Sequence, residues 1–259
     1  MAFKDHFSRQ STGYGLYRPH YPAELFACLA DLCRRHDLAW DCGCGTGQAA
    51  HGLSQHFKSV IATDASAAQI DKAVPADRVE YQVAPAEQSG LASASVDLVL
   101  VAQALHWFDF EAFYREVRRV CRADAVLAAV TYGLMRVNPE IDQIIDHLYV
   151  DLLGGDWPAE RQHVDNGYQS IPFPFPRLAD QNITMSAEWD FDHCFGYLET
   201  WSAVQRYRQR TGHCPLAEVA DPLLAAWGDR EQVRQLSWPI SLLLGQVSSS
   251  AVDPVGLNG

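Results

Sequence analysis

The stretch that most constrains this chain is Asp41-Cys42-Gly43-Cys44-Gly45-Thr46-Gly47, an acid and three alternating glycines between a strand and a helix. Leu38-Ala39-Trp40 before it read as the end of a buried strand, and Gln48 to Leu53 after it as an opening helix. Glycine at every second position allows positive φ, and with no Cβ the backbone can come close to a ligand. The first N–H groups of the helix then face whatever occupies the turn. A G-x-G-x-x-G loop cradles a pyrophosphate. The spacing here is G-x-G-x-G with an acid before the first glycine, which suits a ligand with a cationic amino end better than one with two phosphates. A tight strand-to-helix connection would use the same glycines, so the rest of the chain has to discriminate.

Strand-like and helix-like segments alternate through the first half. Pro22 to His36 carries a helical stripe of Leu25, Phe26, Leu29, Leu32 and Cys33. Val60 to Thr63 is a short strand ending at Asp64, Ser66 to Ala73 reads as a helix, and Val79 to Val83 as a strand. Ser95 to Ala102 is an apolar strand broken only by Asp97. Asp109 caps a helix with the stripe Phe110, Phe113, Tyr114, Val117 and Val120, and Ala125 to Thr131 is a fifth strand. Five strands with intervening helices predict a parallel, doubly wound α/β sheet with its strand C-termini along one ligand-binding edge. Asp41, Asp64, residues 84–88 and residues 103–108 all fall on that edge.

After Thr131 the pattern changes. Asn138-Pro139 starts a helix with the stripe Ile141, Ile144, Ile145 and Leu148, ended by Gly154-Gly155. Residues 156–180 read as a loop rich in proline and aromatics, and Ile183 to Trp189 as a sixth strand. Asp192 to Arg210 reads as one helix stopped by Gly212, Asp221-Pro222 starts another, and Trp238 to Val247 resembles a final strand. Ser248 to Gly259 reads as a frayed tail.

At 259 residues, with 48% hydrophobic and 20% charged residues, the composition is that of one large globular α/β domain with room for an inserted cap. A net charge of −12 argues against a nucleic-acid substrate and favours a small molecule. No signal peptide opens the chain, and the longest apolar run, Val96 to Phe108, is too short to span a bilayer. Seven cysteines with no CxxC pair make a reduced, cytoplasmic setting the simplest reading and zinc an unfavoured one.

Asp64 stands 17 residues after Gly47, where an acid can accept hydrogen bonds from both hydroxyls of a ribose or cap the following helix; it does not separate an adenosyl ligand from NAD. Ala84-Pro85-Ala86-Glu87 can read an adenine ring through a backbone N–H and a side-chain acceptor, or be an ordinary turn. Gln103 to Phe108 looks like a pocket wall in which His106 is a candidate general base, or else holds a water, a carbonyl or a cofactor carboxylate. Trp107 and Phe108 also fit a core. Of Tyr132, Trp157, Tyr168, Phe173, Phe175, Trp189 and Trp201, half or more belong to a core and the others to a lid over a substrate. Asp192-His193-Cys194 and His213-Cys214 lack complementary ligands at metal spacing.

Together these residues resemble class I S-adenosylmethionine-dependent methyltransferases (the type 11-like domain), most nearly the small-molecule members related to trans-aconitate methyltransferase. The matching segments are Phe7-Ser8, Tyr17 to Pro22, Asp41 to Gly47, Ala62 to Ser66 with Gln69-Ile70, Pro85-Ala86-Glu87, Ser95-Val96-Asp97, and Ala102 to Phe108. Trp201 to Val204 and Ser237-Trp238-Pro239 follow later. The resemblance implies a Rossmann-like, doubly wound, seven-stranded sheet whose last strand is antiparallel, with a helical and loop cap. It divides the chain into an N-terminal segment over the cofactor site (1–36), the core (37–131), cap elements with the last strands (132–247) and the tail (248–259).

At matched positions Asp41, Gly43, Cys44, Gly45, Thr46 and Gly47 would hold the methionine part of the cofactor, with Arg18 meeting its carboxylate. Asp64, with Ala65 and Gln69 beside it, would bind the ribose. Pro85, Ala86 and Glu87 would approach the adenine, and Gln103, Ala104, His106 and Trp107 would close the methionine end. Tyr17, Trp107, Tyr132, Tyr168, Phe173 and Trp201 are candidates for a substrate pocket. Two departures stand out: many relatives carry Asp where Pro85 stands, and Arg122-Ala123-Asp124-Ala125 replaces a proline-glycine-glycine turn. The expected reaction is methyl transfer to an O, N or C atom of a small molecule. An NAD-dependent oxidoreductase and a non-catalytic S-adenosylmethionine-binding protein are the alternatives.

Overall fold

The computed structural model describes residues 17–247. The Phe7-Ser8 match and the tail from Ser248 lie outside the described residues. The first half builds α1 (Ala23–Asp31), β1 (Leu38–Cys42), α2 (Gln48–Leu53), β2 (Ser59–Asp64), α3 (Ala67–Ile70), β3 (Val79–Val83), β4 (Val96–Ala102), α4 (Phe110–Val120) and β5 (Cys121–Tyr132). Then come α5 (Pro139–Asp146), a π-helical segment (His147–Leu152), α6 (Arg161–Asp165), β6 (Thr184–Trp189), α7 (Phe191–Glu199), α8 (Ser202–Thr211), α9 (Leu216–Trp227) and β7 (Arg234–Val247). The seven strands form a mixed sheet in the order β3-β2-β1-β4-β5-β7-β6. Its first five are parallel neighbours and β7 runs antiparallel to β6. This is the expected Rossmann-like architecture.

Contacts divide the chain into two compact units. One draws on the chain up to Pro22, on Thr131–Ser170 and on Asn182–Ser241; the other draws on Ala23–Val130, Ile171–Gln181 and the chain from Leu242. In the second unit β4 is buried on both faces, which is why it reads as a continuous apolar run. Asp97, the polar break in that run, is a clamp. Its Oδ2 accepts the amides of Asp37 and Leu38 at 2.8 and 3.1 Å, and its Oδ1 accepts Arg122 at 2.8 Å. Arg122 thereby gives the departure before the fifth strand a structural role. It also extends that strand: β5 begins at Cys121, paired with Val96, four residues before the apolar run.

The other unit has its own core, in which Trp189, Trp227 and Trp238 join Ile141, Ile145 and Leu198. Asn138 caps α5 as expected, its Oδ1 accepting the Ile141 amide at 2.9 Å. Two expectations are corrected here. The single helix from Asp192 to Arg210 is two, α7 and α8, broken at Thr200-Trp201, where the Trp201 indole is buried. The helix expected to start at Asp221-Pro222 starts at Leu216, with Pro222 inside it, where proline removes one helical donor.

Candidate active site

The loop after β1 turns back across the end of β2. The amides of Gly43 and Cys44 both donate to the Thr63 carbonyl, at 2.8 and 3.0 Å, and the Gly47 amide donates to Cys44 at 2.9 Å. Gly43, Gly45 and Gly47 all adopt positive φ (73°, 56° and 90°), but they do so for different reasons. A Cβ on Gly43 would lie 2.7 Å from the Ala104 Cβ, and one on Gly47 would strike the Tyr81 ring. At Gly45 the nearest atom is Gln69 Oε1, 4.0 Å away. The outer glycines make room for the protein itself; only the central one leaves room for a ligand. Gly47 opens α2 without a side-chain cap.

Two acids frame this opening. Asp41 is fully buried, and among the described residues neither carboxylate oxygen has a partner at ordinary hydrogen-bond geometry, the Ala50 amide being only a weak neighbour. Burial, with the charge of Asp64 adding to it, pushes its pKa up to about 7 against the opposing pull of the Ala50 amide. Asp64 Oδ2 accepts the Gly45 amide at 2.9 Å and its Oδ1 accepts the Ser66 amide at 2.8 Å. The carboxylate therefore organises both the glycine loop and the turn into α3. Ala65 is half-buried beside it and Gln69 is buried on α3. Cys42 and Cys44 are buried thiols whose pKa values rise well above the ordinary range, through burial first and then the charge of Asp41, which disfavours the thiolate form.

After β3, the Ala84 amide donates to the Asp64 carbonyl at 3.0 Å, and Glu87 Oε1 accepts the Asp109 amide at 3.0 Å. The 85–87 turn is thus tied to β2 on one side and to the start of α4 on the other. Ala86 is buried between the exposed Pro85 and the half-buried Glu87. After β4, Gln103 takes φ 55° while its amide donates to Val130 at 2.8 Å. A non-glycine residue in this region stores strain of about 1–3 kcal/mol, as residues at functional sites often do. A 3-10 turn over Leu105–Trp107 follows, with His106 buried and its ring 4.7 Å from that of Trp107. Gly43 and Ala104 in contact bring the two loops together.

Arg18 belongs to the other unit, with one nitrogen 3.5 Å from Tyr132 Oη, another 3.4 Å from the Thr200 carbonyl, and its Cζ 5.5 Å from the Tyr197 ring centre. The aromatic candidates are divided between the units. Tyr17 packs against Gly196 and His193, Tyr132 against Tyr21, Tyr168 is buried, and Trp201 is buried with Tyr149 and Tyr197 edge-on to it and Trp157 tilted against it. Trp107 and Phe173 lie in the unit with the glycine loop, Phe173 packing on Tyr114 and Phe175.

Sequence reasoning missed Tyr81, whose ring fills the space beneath Gly47 and whose hydroxyl donates to Val74 at 2.9 Å. The available signal was an aromatic on the strand next to β2. Among the described residues there is no cluster of three or more His, Cys, Asp or Glu able to hold a metal, and no helix is long and apolar enough to cross a membrane.

Comparison with known proteins identifies the family. A family described as a methyltransferase domain matches residues 40–129. A protein of Dictyostelium discoideum assigned to the methyltransferases is 33% identical over 252 residues, covering 94% of this chain and 95% of its own length. The chain belongs to the class I S-adenosylmethionine-dependent methyltransferases, and S-adenosylmethionine is its cofactor. A solved structure from Anaeromyxobacter dehalogenans, assigned as a type II methyltransferase, has a TM-score of 0.85 and 50% identity, over 89% of this chain and 98% of that one. CRG1 of Saccharomyces cerevisiae, assigned as S-adenosylmethionine-dependent, is 33% identical over 141 residues, 51% of this chain and 47% of its own.

Proposed function

We propose that this enzyme transfers the methyl group to an O, N or C atom of a small-molecule acceptor. The observation that supports the site most is the buried Asp41 carboxylate, which has no partner at ordinary hydrogen-bond geometry among the described residues and immediately precedes the loop in which Gly45 keeps open space. A buried acid without a partner is costly and is relieved by a cationic group. In this reading Asp41 and the 43–47 loop hold the amino end of the cofactor, and Asp64 accepts from both ribose hydroxyls. The Ala86 backbone approaches the adenine, without a carboxylate for its amino group because Pro85 stands there. Residues 103–107 close the methionine end.

When bound, the cofactor supplies a methyl group on an already activated sulfonium, open to in-line displacement. The protein's task is then to align the acceptor and exclude water, and alignment alone is worth roughly 7–11 kcal/mol of barrier. A carboxylate acceptor is ionised at neutral pH and needs no base; a phenol or carbon acid needs one, and His106 is the group proposed for it. The net charge of −12 supports a small acceptor over a polyanion.

The test is formation of S-adenosylhomocysteine from S-adenosylmethionine with a panel of small acids, amines and phenols, and with protein and RNA fractions. Turnover with members of the small-molecule panel supports the reading. Methylation of the protein or RNA fractions alone rejects it. His106→Ala should lower turnover more than it weakens S-adenosylhomocysteine binding.

A further inference from the structure

Tyr81, on the edge strand of the sheet, is joined to the glycine loop by a closed ring of contacts. β3 is the last strand on its side, and Tyr81 stands opposite Ala62 in the pairing with β2. Its ring lies under Gly47, where a Cβ would stand 2.7 Å from the tyrosine Cε1. Its hydroxyl donates to the Val74 carbonyl at 2.9 Å, and the Val74 amide donates to the Thr46 carbonyl at 3.3 Å. Thr46 and Gly47 are neighbours, so the path from Gly47 through Tyr81 and Val74 returns to the loop it left.

Val74 takes part through its backbone, since its side chain is 69% exposed. Pro75 follows it, and a residue before proline is confined to extended backbone, which narrows the directions its N–H and C=O can take. The rest of the 71–78 connection is exposed apart from the half-buried Ala73 and Ala76. Burial first, then the neighbouring Cys44 and Asp41, push the Tyr81 pKa up to about 12, so the hydroxyl keeps its proton and stays a donor at physiological pH. Asp64 fixes the loop at Gly45, and Tyr81 fixes it two residues later. Edge strands and exposed connections are the parts of a fold that open most easily. Tied to the loop, they are held by whatever the loop holds, and by reciprocity they strengthen that grip.

We infer that Tyr81 is a positioning residue for the cofactor loop: its ring props Gly47, and its hydroxyl acts through Val74 on the Thr46 carbonyl. This rests on the reading above that residues 43–47 hold the cofactor. Tyr81 itself touches no ligand in this account. A merely structural Tyr81 would steady the free and the ligand-bound protein equally, and its loss would leave affinity unchanged.

The test combines calorimetric titration of the full chain with S-adenosylhomocysteine and amide hydrogen exchange with and without that ligand. Tyr81→Phe keeps the ring and loses the hydroxyl; binding is expected to weaken about three- to tenfold, the range for one lost hydrogen bond. Tyr81→Leu loses both and should weaken binding further, so that phenylalanine rescues part of the loss. If leucine prevents folding, the phenylalanine variant carries the test alone. In the wild type the ligand should slow exchange of the Val74 amide, and Tyr81→Phe should remove most of that slowing. Unchanged affinity in Tyr81→Phe, with Val74 exchange accelerated equally in the free and bound protein or not at all, overturns the inference. Asp64→Ala in the same series keeps the two claims apart. Weakened binding there beside unchanged binding in Tyr81→Phe rejects the role of Tyr81 alone, whereas unchanged binding in Asp64→Ala rejects the loop reading itself.

Discussion

The Asp64 carboxylate holds the Gly45 amide at 2.9 Å, so the residue that ends β2 also sets the backbone of the only loop glycine with open space before it. In the ribose role proposed for Asp64, recognition and loop geometry are one device. Asp64→Ala removes both. It should weaken S-adenosylhomocysteine binding by about 10–100-fold, as expected for losing hydrogen bonds to a charged acceptor. Calorimetric titration reads this directly, and unchanged affinity would remove Asp64 from the site.

Asp41 predicts a pH dependence. Burial raises its pKa in the folded protein to about 7, above the ordinary aspartate value of about 3.9. The unfolded chain then loses this proton first, so folding without ligand weakens as pH rises from about 4 to 7 and the penalty is full above that. Asp41→Asn should therefore raise the melting temperature of the ligand-free protein at pH 8 and have little effect at pH 4. A cationic ligand group favours the ionised acid, so wild-type cofactor affinity should rise with pH toward 7 and the asparagine variant should lose that rise. Parallel thermal and binding profiles across pH 5–8 check both signs.

Gly43→Ala separates packing from ligand approach. The new methyl would meet Ala104 at 2.7 Å in a backbone with φ 73°. It should destabilise the fold by about 1–3 kcal/mol, read by denaturant unfolding. An alanine there that costs nothing in stability would show that the 103–108 loop is free to move away.

Tyr114 offers a change in the opposite direction. Its hydroxyl is buried without a partner among the described residues, with the rings of Phe173 and Phe175 at 6.1 and 5.5 Å. Tyr114→Phe should leave stability unchanged or raise it by about 1 kcal/mol, because an unsatisfied buried hydroxyl costs about that much. A clear loss of stability in the phenylalanine variant would mean that the hydroxyl has a partner.

The parallel half of the sheet was legible because β4, the strand ending at Asp64 and the Asp41–Gly47 loop each carry a local chemical signature. Boundaries failed where tertiary packing overrides local signals. Polar Arg122 to Asp124 could not announce that β5 starts early, because Arg122 acts through the distant Asp97. Pro222 looked like a helix start since proline favours the first turn, yet it lies inside α9. Trp201 breaks a helical run through burial of its indole, which no periodicity reports. In the glycine loop the spacing was visible, but which glycine keeps open space depended on Tyr81 and Ala104, brought there by other strands.

The most direct measurement is a calorimetric titration of the full chain with S-adenosylhomocysteine, with NAD as the control. The account predicts micromolar or tighter binding of S-adenosylhomocysteine, lost or strongly weakened in Asp64→Ala, and no binding of NAD. Binding of NAD alone, or S-adenosylhomocysteine binding untouched by substitution at both Asp41 and Asp64, would contradict it.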